Sequence, residues 1–106
     1  MHIEARLNSV YVKEPCVACG EWDRAGDVAY FDENGARVCD RCVDGGVERI
    51  RVMLGRGAEY YHELARQYGD RAEEEITIAP VSEEVRRGLA EREALWKVSQ
   101  EAELSF

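Results

Sequence analysis

Long apolar runs are missing from this sequence. None approaches the roughly 18 residues that a membrane-spanning helix needs, so no transmembrane segment is expected. An apolar leader is missing too. Met1-His2-Ile3-Glu4-Ala5-Arg6 carries charges where a signal peptide requires a hydrophobic stretch, which argues against secretion and for a cytoplasmic protein. Positive charge is scarce: 14 Lys+Arg stand against 22 Asp+Glu, a net charge of −8. Such a balance disfavours a surface that grips phosphate backbones throughout. Histidine is rarer still, with His2 at the terminus and His62 on a helical stretch. Catalytic signatures are absent: no Gly-x-Ser-x-Gly, no His-Glu-x-x-His, no Walker A and no Gly-x-Gly-x-x-Gly after a strand. The expectation is a protein without enzymatic activity. What remains is 106 residues, 45% hydrophobic, which suits a single ordered domain rather than a disordered chain.

The residues that carry chemistry are four cysteines in two close pairs, Cys16-Val17-Ala18-Cys19 and Cys39-Asp40-Arg41-Cys42. Two disulfides would suit an exported, cysteine-dense chain, which this is not. Two C-x2-C pairs about twenty residues apart instead match a closed four-thiolate zinc site. Two intervening residues let one tight turn aim both sulfurs at one point, and the insert brings the second pair across. Gly20 follows the first pair, where a metal knuckle often needs a positive φ. The second pair opens a helix-like pattern. Iron is the rival metal, but a rubredoxin-like site tends to carry glycine after both pairs, and Val43 follows Cys42 here. A closed site leaves no open coordination position, so hydrolytic zinc chemistry is not expected.

Between the pairs, Asn34-Gly35 separates the β-type runs Asp27–Phe31 and Ala36–Cys39, a strong hairpin signal. Knuckle, hairpin, then a knuckle entering a helix is the order of a treble clef. The fold expected is therefore α+β: a small treble-clef zinc unit extended by two or three helices. It divides as residues 1–54 with an N-terminal strand, 55–72 with a second helix, and 73–106 with an acidic connector and a C-terminal helix.

The segments Cys16-Val17-Ala18-Cys19-Gly20 and Val38-Cys39-Asp40-Arg41-Cys42-Val43-Asp44 resemble the N-terminal zinc-binding domain of the Clp unfoldase ClpX. The resemblance spans about residues 14–54. It implies a structural zinc, a tendency to form homodimers and a role in docking adaptors or substrates. No Walker motif follows, so the unfoldase itself is excluded. Gly45-Gly46 sits where that family has an apolar first helical turn.

Elsewhere, Ile3, Ala5 and Leu7 alternate as a strand, with a bulge expected near Asn8-Ser9 because Val10 and Val12 fall on the other face. Val43, Val47, Ile50 and Leu54 mark an amphipathic helix, weakened by Gly45 and Gly46 and ended by Gly55-Arg56-Gly57. A second helix runs from about Ala58 to Gln67, with Tyr60, Tyr61 and Tyr68 as core or interface residues. Asp70 to Glu75 reads as a solvated charged connector. Ile76-Thr77-Ile78 is a short β-type segment, either an edge strand or a surface crossing. Ser82 caps a final helix reaching about Glu103, with Gly88 interrupting it.

Charge is uneven, with a net of −3 over residues 1–71 and −5 over 72–106. One local exception gathers Arg37, Arg41, Arg49, Arg51 and Arg56 against Asp40, Asp44 and Glu48 beside the second knuckle, either a salt-bridged helix face or a small basic patch that could meet phosphate or an acidic partner. Two functions follow. The first is a zinc-stabilised protein-interaction module, a small regulator or inhibitor of a larger protein machine, with Trp96, Leu95, Val98, Leu104 and Phe106 on the acidic last helix as its contact surface. The second is a zinc-finger-like nucleic-acid-binding protein that uses Arg41, Arg49 and Arg51.

Overall fold

A computed structural model of the chain describes residues 1–8, 14–24, 26–60 and 62–104. The alternation at the N-terminus becomes strand β1, His2–Leu7: Ile3 is fully buried, while His2, Glu4 and Arg6 face solvent. The bulge expected beyond Asn8, with Val10 and Val12, lies outside the described residues, as do Tyr61 and Phe106 and the side chains of Tyr60 and Leu104. β1 pairs antiparallel with β2 (Val28–Phe31), matching Glu4 to Phe31 and Leu7 to Val28. β2 turns through Asn34-Gly35 into β3 (Arg37–Val38), with Gly35 at φ 80°. Asp32 holds this turn: its Oδ1 accepts the amides of Asn34 at 2.9 Å and Ala36 at 2.8 Å. Thr77–Ile78 (β4) pairs parallel with the outer edge of β1, giving the sheet order β3-β2-β1-β4. Ile76-Thr77-Ile78 therefore supplies an edge strand, and Ile76 enters the core at 5% exposure.

The helices differ from expectation at their glycines. α1 (Asp40–Asp44) and α2 (Gly46–Tyr60) are separate, because Gly46 takes φ +76°, a conformation that breaks the helical path and that L residues avoid. Gly45 is required for a different reason: the Arg49 side chain lies over it, 2.2–2.9 Å from where a Cβ would stand. Gly55-Arg56-Gly57 does not end the helix. α2 continues through both glycines, since each costs only about 1 kcal/mol within a helix and neither adopts a positive φ. The expected stripe is present, with Ile50 and Leu54 buried and Val43 and Val47 packed at the edge of the core. α3 (His62–Tyr68) follows, and Tyr68 packs half-buried against the same core.

The connector is not simply solvated. Gly69–Glu73 forms a 3₁₀ turn, and Arg71 on it reaches Asp32 at 3.0 Å, pairs with Glu33, and meets Glu74 at 3.3 Å. Burial opposes the charge on Arg71, but Glu33, Glu74 and Asp32 outweigh it and raise its pKa above the usual value. This clasp joins the hairpin turn to the segment that delivers β4.

α4 (Glu83–Leu104) starts as read: Ser82 Oγ accepts the Val85 amide at 3.3 Å, with Glu83 and Glu84 in the first turn. Gly88 does not interrupt it. Its missing side chain lets the helix rest on β1, where a Cβ would lie 2.2 Å from Leu7 Cδ1. Val85 is buried, Leu89 is half-buried, and Arg92 Nη1 donates to the Asn8 carbonyl at 2.7 Å. From Glu93 to Glu101 every residue is exposed. The helix therefore leaves the body, and the molecule measures 56 × 25 × 21 Å with a radius of gyration of 16.5 Å, against about 13 Å for a compact chain of this size. Among the described residues no helix is long and apolar enough to cross a membrane.

Gly88→Ala is expected to destabilise the fold by about 1–3 kcal/mol despite the better helix propensity of alanine, because Leu7 must be displaced. Thermal melts check this, and Leu7→Ala in the same chain should recover part of the loss. A higher melting temperature for Gly88→Ala would mean that α4 does not rest on β1.

Candidate metal centre

Each cysteine pair is placed by its own local device. After the first pair the chain reverses at Gly20, at φ 71°, and the Gly20 amide donates to the Cys16 carbonyl at 2.7 Å. The Cys16 amide donates in turn to Glu21 O at 3.0 Å, closing the knuckle. The second pair follows β3 directly. Cys39 is the extended residue before α1, at φ −74° and ψ 156°, and Cys42 lies one turn into that helix. Two links seat one pair on the other: the Val17 amide donates to the Arg37 carbonyl at 2.8 Å, and the Cys39 amide donates to Cys16 Sγ at 3.2 Å.

The result is a cluster of four buried sulfurs, all within 4.8 Å of one another. Cys16 and Cys42 stand 3.8 Å apart, and Cys19 and Cys39 stand 3.5 Å apart. A tetrahedron of metal–sulfur bonds of about 2.3 Å has edges of about 3.8 Å. All four cysteines are free, and these separations are far from the roughly 2.05 Å of a disulfide. The residues therefore fit a four-coordinate metal ion, and Cys16, Cys19, Cys39 and Cys42 would hold it. No cysteine is more than 8% exposed, so the site is closed.

The thiols are unequal without the ion. Contact with Cys42, aided by the amides of Cys39, Cys19 and Ala18, pulls Cys16 down to about 4 against the effect of burial. Burial pushes Cys19 up to about 11. The thiolate of Cys16, with burial, pushes Cys42 well above the ordinary thiol range. A thiolate at Cys16 is thus favoured over thiolates at Cys19 and Cys42, and a cation is what would allow those two to ionise as well.

The arginines beside the second knuckle stand in different environments. Arg37 is buried at 1% exposure and pairs with Asp23. Arg41 is exposed but pairs with Glu21 at 2.7 Å. Arg49 folds over Gly45, while Arg51 and Arg56 are exposed on α2. Trp96 lies on the free part of α4, 62% exposed and far along the chain from the cysteines. Charge counting gave no sign of the Arg37–Asp23 pair, because fourteen residues separate the partners and only the fold brings them together. Trp22, on the loop just after the first knuckle, is 60% exposed, and no spacing or periodicity in the sequence marks it.

No family model, curated protein or solved structure matches this chain. The resemblance to the ClpX zinc-binding domain thus rests on the knuckle residues alone.

Two outcomes are expected. Zinc added to the metal-free protein at pH 7 should release at least about two protons, from Cys19 and Cys42, measurable with an indicator dye in weak buffer. Metal affinity should then fall as pH drops, since protons compete for thiols whose metal-free pKa is high; uptake without proton release would contradict this. Separately, Cys39→Ser should leave the hairpin 28–38 and α1 unprotected in amide hydrogen exchange. Unchanged protection there would mean that the helices carry the fold without the metal.

Proposed function

We propose that this chain is a zinc-stabilised protein-interaction module, a treble clef whose last helix meets a larger partner as a small regulator of it. Knuckle, hairpin and knuckle-to-helix follow one another around the four cysteines in treble-clef order, and four thiolates suit zinc. The ion has a structural role, because four protein ligands leave no position for substrate. The module is not an enzyme on this reading.

The observation that carries the proposal is the outer half of α4. Leu95, Trp96 and Val98 are 70%, 62% and 63% exposed on a stretch, Glu93 to Glu101, in which every residue is exposed. An isolated helix of about 12 residues is marginal in water and gains its stability from packing. Tryptophan is among the residues that dominate interface energies. With a net charge of −5 over residues 72–106, a basic partner surface suits it.

The nucleic-acid reading is the weaker of the two. It keeps Arg49, Arg51 and Arg56, but Arg37 is spent in a buried pair and Arg41 is matched by Glu21. The net charge of −8 opposes it further.

The test is affinity capture from source cells with the full chain as bait, with and without nuclease, beside a Leu95→Ala/Trp96→Ala/Val98→Ala bait. A protein partner that survives nuclease and is lost from the triple variant supports the module. Recovery of nucleic acid, reduced by Arg49→Ala/Arg51→Ala and steeply by salt, would overturn it. Sedimentation of the purified chain separates a second copy from a foreign partner.

A further inference from the structure

We infer that Arg37 is a positioning residue of the metal centre, a buried brace that holds the first knuckle in register with the second. The inference rests on the four cysteines being a metal site. It adds a residue that neither the ligand spacing nor the interaction reading involves.

Arg37 sits on β3, two residues before Cys39, opposite Phe31 of β2. Its side chain is only 1% exposed, an uncommon place for a guanidinium unless it is fully engaged. It is engaged on both flanks of the knuckle. Nη1 donates to the Glu14 carbonyl at 3.1 Å, two residues before Cys16. Nη2 pairs with the carboxylate of Asp23, four residues after Cys19 and itself 19% exposed. Between these anchors, the Arg37 carbonyl accepts the Val17 amide at 2.8 Å, inside the Cys16–Cys19 turn. One residue therefore touches the knuckle before, within and after its two cysteines, and its own strand leads directly into the other pair.

The chemistry explains why an arginine stands here. An apolar side chain of similar volume would fill the space without the desolvation penalty of a buried cation. It would not fix the entering and leaving strands of a loop at set distances. The planar fork of arginine engages two acceptors at once, which a lysine cannot do in the same geometry. Groups that orient metal ligands from behind commonly govern metal affinity by about 10–100-fold.

The test is zinc affinity by chelator competition, together with the cobalt(II) ligand-field spectrum, on the full chain. Arg37→Met should bind zinc about 10–100-fold more weakly, with shifted cobalt bands, and Arg37→Lys should fall between it and the unaltered chain. Asp23→Ala should weaken binding in the same direction, and the double variant should be no weaker than Arg37→Met alone, because both act through one pair. Asp23→Ala carries the test if Arg37→Met does not fold. Unaltered affinity and an unaltered cobalt spectrum in these variants, even with a lower melting temperature, would overturn the proposal and leave Arg37 a core residue only. Failure of the unaltered chain to bind zinc or cobalt would instead defeat the metal reading, and this inference with it.

Discussion

Four sulfurs that must meet at one point tie Cys16 to Cys42 across a chain that has little else to hold it there. The sheet supports this only in part. β3 is two residues long, and α1 is five. Neither would persist alone, since short strands and short helices need packing or a cross-link to be stable. The cysteines are also the centre of the core: all four are buried, alongside Ile3, Val38, Ile50 and Leu54. A small domain buries a limited fraction of its surface, so a metal that joins two segments contributes where apolar area is short.

Around that point, the buried Arg37 and the half-buried Arg71 do comparable work at different distances. Arg37 braces the knuckle against β3. Arg71 clamps the hairpin turn through Asp32, which is 2% exposed, and so seats β4 against β1. Arg37 and Asp32, the buried charges of the two clasps, satisfy the rule that a buried charge needs a partner and directed hydrogen bonds. The cysteine cluster and the parallel β1–β4 edge are thereby connected through one hairpin.

α4 divides the molecule into two physical regimes. Its first two turns are packed, through Val85, Leu89 and the close approach allowed by Gly88. Its outer half stands in solvent with large apolar side chains uncovered. On the proposed reading, a body held at its cysteine cluster that presents one helix suits helix-in-groove recognition seen from the helix side. The packed part fixes the base of the helix, and the outer part leaves Leu95, Trp96 and Val98 exposed.

The cysteine spacing, the glycine after Cys19 and the Asn34-Gly35 turn each determine a local backbone shape, so the ligand set and the hairpin were legible from the sequence alone. So were the α2 stripe and the Ser82 cap, because periodicity and capping act over a few residues. The glycines show where local rules end. Gly46 and Gly88 look alike in sequence, yet one breaks a helix by its φ and the other admits a neighbouring strand. Only the tertiary structure decided that Ile76-Thr77-Ile78 pairs with β1, that Arg37 is a buried brace rather than part of a patch, and that Arg71 is a clasp rather than a solvated charge. Each of these depends on partners 14 to 75 residues away, and such contacts arise from packing the whole chain, which no local pattern encodes.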